Sequence, residues 1–424
     1  AIEGKSDMVR AELPPVKPLD KIIVAFAGPL FSFMLAVFFA CIVWVIGRPV
    51  SDNTTVIGYI PNFSPSITAV PVNGTVAEPG LKVGDKVLSV DGKQVTKFSG
   101  IGPSIHWSVV SSQNDTIRFE VERPGQPQHL YFDVTPYREP KAFWQRRSLR
   151  QVLIGPAHKI IVSKIPENSP VSKVLNPGDR IVAVNGQELL SLAQLNEYIA
   201  KQRRGFWGLD NLTPVHAVMD RVVTNNERQI ALTVDRPIDL KATEVKYERI
   251  TLPAVVPRAP AEPSGFQPML GFEIATDFTL RYDTPYDQIA NSVYAMYSTF
   301  SALLSPRGDI GLQHLSGPAG ILNTYYVLLS NEYGWRMVLW FSVLINVNLA
   351  IMNLLPFPVL DGGHIVLALL EAARAPVSIQ ILEVLQLCCV MLVMGFMLYV
   401  TFYDVQDLGR GSRPKTPEIR FAPN

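Results

Sequence analysis

The residues with the clearest capacity for chemistry lie between Asn348 and His364, in the run NLAIMNLLPFPVLDGGH. A helix that crosses a bilayer avoids Pro, Asp and Gly. Here Asn353, Pro356, Pro358, Asp361, Gly362, Gly363 and His364 crowd the end of one. Each proline removes a backbone donor and collides with the preceding turn. Irregular backbone at membrane depth persists only where protein or a water-filled cavity satisfies its polar groups. A carboxylate in such a place marks a functional site, because an uncompensated charge in hydrocarbon is costly. A second reading is open: the helix ends at the membrane surface, and Asp361 is a solvated N-cap for the next one. The residues by themselves weigh the two equally.

These side chains need elements to position them, and the chain supplies apolar ones. Residues 22–46 run without a charge. At 1.5 Å per residue they exceed the hydrocarbon core of about 30 Å. Residues 338–355 form a second span, interrupted by Asn346, Asn348 and Asn353, and 384–403 form a third. A short helix is expected over 364–373, after the Gly pair. Lys5, Arg10, Lys17 and Lys21 precede the first span and only Arg48 follows closely. Positive-inside bias therefore places 1–21 in the cytoplasm and residue 50 onward outside. Three crossings leave the tail, 404–424, outside as well. Its Arg410, Arg413, Lys415 and Arg420 run against the same bias.

Composition agrees with a mixed chain of apolar spans and loop-rich polar modules. Of 424 residues 48% are hydrophobic, and 34 prolines punctuate the polar stretches. Lysine and arginine number 38 against 37 acids, so no bulk attraction to nucleic acid is present. Cys41, Cys388 and Cys389 all lie in apolar runs, which leaves the polar middle without a disulfide framework or a cysteine zinc site. The chain opens on Ala1 with no cleavable leader, which gives the expectation that these residues begin inside a longer protein.

The polar middle repeats itself. Leu81 to Gly92 (LKVGDKVLSVDG) matches Leu175 to Gly186 (LNPGDRIVAVNG) at a constant offset of 94. Each copy reads as a Gly-Asp turn, a short apolar strand and an Asp-Gly or Asn-Gly hairpin. Two modules follow, at 54–138 and 150–255, the second enlarged by an insertion around Arg203 to Asn226. Pro-rich stretches at 136–147 and 253–268 read as linkers. Residues 256–334 hold linker, a strand at 270–274, and an apolar helix over 286–304. That helix either lies against the membrane or spans, or is an ordinary amphipathic core helix. The fold expected is a multi-pass α-helical membrane protein with an inserted extracytoplasmic region of two mixed β/α modules.

The sequence resembles two known patterns. Asn353, Pro356, Pro358, Leu360, Asp361, Gly362 and Gly363 match N-x-x-P-x-P-x-L-D-G-G, the second signature of the site-2 protease family. Asn348 also matches bacterial members. Ala27-Gly28-Pro29 resembles the family's A-G-P-x-x-N motif, with Ser32 where Asn is usual. Leu315-Ser316-Gly317-Pro318 resembles the segment before the family's third span. The two modules resemble PDZ domains through L-x-x-G-D-x-[VI]-x-x-V-[DN]-G, and the order of elements resembles the regulator-of-sigma-E protease subgroup.

The resemblance implies an intramembrane zinc metalloprotease that cleaves membrane-spanning protein substrates in a bacterial inner membrane. Asp361 would be a Zn2+ ligand. Asn353 would hold substrate backbone or support the Asp361 loop, and Pro356, Pro358, Gly362 and Gly363 would shape the motif. The family's two zinc histidines and glutamate base lie in H-E-x-x-H. His106, His129, His158, His216, His314 and His364 are the histidines here, and none begins that motif. Family order places it before Ala1, so these 424 residues alone are expected to be inactive. The PDZ-like modules would gate access to the site, and their own peptide ligand is not readable. The rival is a non-catalytic membrane-anchored scaffold. A serine protease carrying such modules is disfavoured by the lack of G-x-S-x-G or G-N-S-G-G and by the three spans.

Overall fold

The computed structural model describes residues 17–51, 54–72, 79–142, 144–191, 194–195, 229–238, 246–258, 270–275, 278–306, 308–331, 333–373 and 379–411. The helices, in chain order, are α1 (Pro18–Ile46), α2 (Ile105–Ser111), α3 (Pro285–Leu303), α4 (Pro318–Leu329), α5 (Gly334–Asn353), α6 (Asp361–Ala372) and α7 (Ile379–Gly411). The strands are β1 (Arg48–Ser51), β2 (Ile57–Tyr59), β3 (Val70–Pro71), β4 (Lys86–Val90), β5 (Lys93–Gln94), β6 (Ile117–Glu122), β7 (Leu130–Val134) and β8 (Gly155–Pro156). They continue with β9 (Ile160–Lys164), β10 (Arg180–Val184), β11 (Gln187–Glu188), β12 (Leu232–Pro237), β13 (Tyr247–Thr251), β14 (Glu273–Ala275) and β15 (Phe278–Arg281). Two compact units result: a helical one from residues 1–48, 281–297 and 315–405, and a β-rich one from 49–280, 298–314 and 406–424.

In the helical unit, α1 starts on Pro18, whose missing N–H is one of the unsatisfied first-turn donors anyway. It ends at Gly47, which takes φ +72°. Ala36 and Ala40 of α1 are fully buried against Val343 and Val347 of α5, with Ile351 beside them. Small residues let helix backbones approach closely, which is how apolar helices associate in lipid. Of the two readings of 286–304, packing on the spans prevails for the first part of α3. Ile289 joins the α1–α5 cluster, and Gln288 Nε2 donates to Ala40 O at 3.0 Å. Helices α1, α5 and α7 are long and apolar enough to cross a membrane. Val24, Phe31, Leu392 and Leu398 are each more than two-thirds exposed. Water would reject such a surface, and lipid accepts it.

The last helix is one of 33 residues rather than the span expected over 384–403. Its C-terminal part is fastened by Asp404, whose Oδ2 accepts from the backbone N–H of Gly317 (2.8 Å) and Gly320 (2.9 Å) at the start of α4. That carboxylate, only 4% exposed, satisfies two of the orphan donors of α4.

The β-rich unit contains two sheets built alike. The first runs β3-β7-β6-β4-β5, and the second β13-β12-β10-β9-β14 with β11 on β10, every pairing antiparallel. Separately, β2 pairs with β8, and β1 with β15. The 94-residue repeat reappears in three dimensions. Gly84 and Gly178 take φ +95° and +92°, and Asp91 and Asn185 take +49° and +45°. Asp85 Oδ2 accepts from Lys82 N at 2.8 Å, as Asp179 Oδ2 does from Asn176 N. Arg123 grips Asp85 with two bonds of 2.7 and 2.8 Å, and Arg236 grips Asp179 with 2.8 and 2.7 Å. Both carboxylates are wholly buried, so both need a fixed cation.

The boundaries expected for the modules fall short. Residues 136–147 and 253–268 do not separate independent units. After the first stretch, Val152 and Ile154 enter the core of the first module, and β8 pairs with β2. After the second, Leu270 enters the second core and β14 pairs with β9. The two folds therefore run to about 157 and 275, in place of 138 and 255. A Pro-rich stretch carries no sign that the next apolar strand returns to the previous core. The insertion at Arg203 to Asn226 lies outside the described residues.

Candidate functional site

The Asp361 motif is assembled where α1, α5 and α6 meet. Helix α5 stops at Asn353, and Leu354 closes it. The chain then turns tightly through the two prolines. Phe357 N donates to Leu355 O and Leu360 N to Phe357 O, both at 2.8 Å. Leu360 is extended (φ −102°, ψ 161°), and α6 starts at Asp361. This corrects the expected start at 364: the Gly pair lies inside the first turn. It also corrects the N-cap reading, because Leu360 occupies that position and Asp361 follows it.

The glycines are required by contact. A side chain on Gly362 would collide with the carbonyl of Leu354, and one on Gly363 with the carbonyl of Phe357. Backbone of the α5–α6 turn lies directly on the first turn of α6, and both glycines are buried. The prolines and glycines are thus two halves of one device: a stiff turn and a bare helix surface that receives it.

The Asp361 carboxylate points at α1. A Cβ placed on Gly28 would lie 2.7 Å from Asp361 Oδ2. Further along, Lys21 Nζ pairs with Glu371 Oε2 at 2.7 Å, so α6 runs antiparallel to α1. Gly28 stands seven residues beyond Lys21, about 10 Å along the helix and inside its uncharged stretch. Among the described residues the Asp361 carboxylate has no ion pair or hydrogen bond. A half-buried carboxylate without a countercharge suits a bound cation. The described residues supply only this ligand, however: no three His, Cys, Asp or Glu among them come together as a metal site.

The other expected residues distribute around it. Asn353 is half-buried at the end of α5, Pro356 is exposed, Pro358 is half-buried, and His364 is exposed in the first turn of α6. Asn348, one face of α5 earlier, keeps a buried Oδ1 without a hydrogen-bond partner. The remaining described histidines have partners in the β-rich unit. His129 Nδ1 donates to Glu120 Oε1 (2.9 Å), His158 Nδ1 to Pro156 O (3.2 Å), and His314 Nε2 to Arg147 O (2.8 Å). His106 Nδ1 is 3.2 Å from Ser99 Oγ, and burial pushes its pKa down. His216 lies outside the described residues. Sequence reading identified Asp361 but not its seat on Gly28. The Ala27-Gly28-Pro29 motif was the only signal, and it does not say what the glycine faces.

Comparison with known proteins gives the same direction. The profile of peptidase family M50 matches residues 2–396. A Pasteurella multocida protein provisionally named a zinc metalloprotease is 26% identical over 422 residues, covering 95% of this chain and 83% of that protein. The Salmonella typhimurium regulator of sigma-E protease RseP is 27% identical over 361 residues, covering 83% and 71%. Its Escherichia coli counterpart is 25% identical over 367 residues, with the same coverage.

Proposed function

Because the chain belongs to peptidase family M50, we propose that it serves a zinc-dependent protease that cleaves membrane-spanning proteins within the bilayer, with Asp361 as one zinc ligand. The observation that carries this reading is the Asp361 carboxylate, unpaired among the described residues and seated on Gly28 in the uncharged part of a candidate membrane helix. When bound, zinc supplies Lewis acidity toward water and the scissile carbonyl. The residues of this chain do the rest of the positioning. The Pro356–Pro358 turn and the Gly362–Gly363 surface fix where the carboxylate can stand. Gly28 leaves room for it. Asn353, at the mouth of the turn, is placed to bond substrate backbone or to brace the Asp361 loop.

In this reading the two other ligands and the general base belong to an H-E-x-x-H that these 424 residues do not contain, and by themselves they are inactive. The two modules are PDZ-like, lie outside the bacterial inner membrane, and limit which substrates reach the site. The scaffold reading is kept because the described residues hold no complete ligand set. One experiment separates the two. The protein expressed from its complete gene is purified in detergent, and its zinc content and its cleavage of a membrane-embedded substrate are measured. Asp361→Asn keeps the shape and removes the charge, so zinc and cleavage should both fall, while His364→Ala keeps both. Absence of zinc and cleavage in the unaltered protein would favour the scaffold. Normal zinc in Asp361→Asn would remove Asp361 from the site.

A further inference from the structure

Within the helical unit, arginines gather at the end of α1 that Gly47 closes. Arg48 Nε donates to Asp283 Oδ2 at 2.8 Å, and Arg281 Nε stands 2.6 Å from Asp283 Oδ1. Arg336, at the start of α5, donates from Nη1 to Ile46 O at 2.6 Å. Among the described residues, the buried Asp283 is thus the one acid bonded to this cluster. Asp287, one turn further along, accepts from Thr284 Oγ1, and the cluster stays positive when it is counted. Arg48 alone neutralises Asp283, and Arg336 serves the last carbonyls of α1. The charge of Arg281, on a side chain 61% exposed, exceeds what the local packing uses.

The cluster marks a level. No charge occurs in α1 between Lys21 and Arg48, and none between Arg336 and Asp361. If α1 and α5 cross the bilayer, Arg48 and Arg336 stand where the hydrocarbon ends. Tyr282, Tyr286 and Trp335 are exposed there. The Arg48 guanidinium lies 4.8 Å from the Trp340 ring centre, and that of Arg336 lies 5.2 Å from the Trp335 ring centre. Aromatic rings favour headgroup depth, and arginine forks fit phosphate oxygens.

An apolar groove starts at the same place. Helix α3 follows α1 back from this end: Asp283 meets Arg48, and Gln288 then meets Ala40. Phe33 of α1 and Tyr286, Ala290, Val293, Tyr294 and Tyr297 of α3 line a groove of about 670 Å³ with no charged residue in its wall. Tyr286 lies three residues beyond Asp283. Phe33 lies fifteen residues before Arg48, about 22 Å along α1. The groove therefore runs from the arginines into the uncharged length of the helix.

We propose that the cluster and the groove form a binding site for one anionic phospholipid, with its phosphate at the arginines, Arg281 foremost, and an acyl chain between α1 and α3. The positive charge at one end and the apolar wall behind it select this occupant. A free anion would use only the cluster, and a polypeptide helix would use only the groove. A lipid seated there joins α3 to α1, the helix on which Asp361 is seated. The proposal rests on α1 and α5 crossing the membrane, as the proposed function does.

The test uses the protein expressed from its complete gene, in phosphatidylcholine nanodiscs. These contain a trace of phosphatidylglycerol or phosphatidylcholine with a diazirine in the middle of one acyl chain. After irradiation, peptide mass spectrometry measures the label on Phe33 and on residues 286–297. The exposed Leu392 and Leu398 of α7 serve as lipid-facing references. The phosphatidylglycerol probe should label the groove about fivefold more than the phosphatidylcholine probe, the effect of roughly one net basic residue at an anionic lipid surface. The references should take both probes equally. Arg281→Gln should lower that ratio, and Arg281→Glu, which leaves two arginines against three acids, should abolish it. Ala290→Phe puts a ring into the groove from an exposed position and should reduce groove labelling by both probes. Added inorganic phosphate should change nothing. Equal groove labelling by the two probes would overturn the site, as would a preference that survives Arg281→Glu. A preference removed by inorganic phosphate would mark a site for the free anion and overturn the lipid. A groove without label beside labelled references would also overturn it and leave the groove to a polypeptide. References without label would instead remove the membrane reading on which both proposals rest.

Discussion

Gly28→Ala isolates the seat of the Asp361 carboxylate from everything else in the helical unit. The new Cβ would lie 2.7 Å from Asp361 Oδ2 and 3.6 Å from its Cγ. Ordinary contact begins near 3.4 Å, so the oxygen must retreat by about 0.7 Å. The obstacle is the end of a flexible side chain, so rotation of the carboxylate relieves the clash cheaply. Helix propensity favours Ala over Gly by about 1 kcal/mol, so α1 is not weakened. Ligand positions in a metal site tolerate about 0.2 Å, and a displacement near 1 Å at a reacting centre can cost roughly 100-fold in rate. Thermal unfolding of the purified protein should therefore be unchanged or slightly improved. If Asp361 is the zinc ligand proposed above, substrate cleavage by the protein expressed from its complete gene should fall by one to two orders of magnitude, and its zinc should be held less tightly against a chelator. Cleavage and zinc retention equal to those of the unaltered protein would refute the seat. Loss of cleavage together with a collapsed melting temperature would show a packing defect instead.

The β-rich unit gives three further expectations. Gly84→Val forces a branched side chain to φ +95° and should destabilise the first module by about 1–3 kcal/mol, read by calorimetry, with hydrogen exchange in the second module unchanged. Arg236→Ala leaves Asp179 wholly buried without its cation and should cost about 3–5 kcal/mol; denaturant unfolding that shows under 1 kcal/mol would contradict the buried pair. Asp309 has its carboxyl pKa lowered by bonds to Arg150 and Arg138, which outweigh its burial. Its stabilising effect is therefore complete above the unfolded carboxylate value of about 3.9 and is lost as pH falls below it. Asp309→Asn should remove that acid-side loss from the melting-temperature profile, and an unchanged profile would refute the assignment.

Much of this molecule was legible in order of residues alone. Uncharged length identified α1, α5 and α7, because a bilayer thickness is a length and a helix has a fixed rise. The Gly-Asp and Asp-Gly repeat identified duplicated modules, because positive φ at a turn restricts residue type locally. For Asp361 the residues alone left a functional carboxylate and a solvated helix cap equally open, and the resemblance of its motif to the site-2 protease signature favoured the first.

Tertiary structure decided what those residues face. Nothing in A-G-P says that Gly28 receives Asp361, since the two are 333 positions apart and a glycine records only that something is close. The start of α6 at Asp361 depends on the turn packed over its glycines, so local breaker residues pointed to the wrong boundary. The strands β8 and β14 close the cores of modules they seemed to follow, because a strand chooses its partner by the free edge and apolar pocket available to it. The basic stretch at 138–150 read as a spacer for the same reason. Charge and proline mark exposure, and only the position of Asp309, bonded by Arg138 and Arg150, shows that this stretch is held in place.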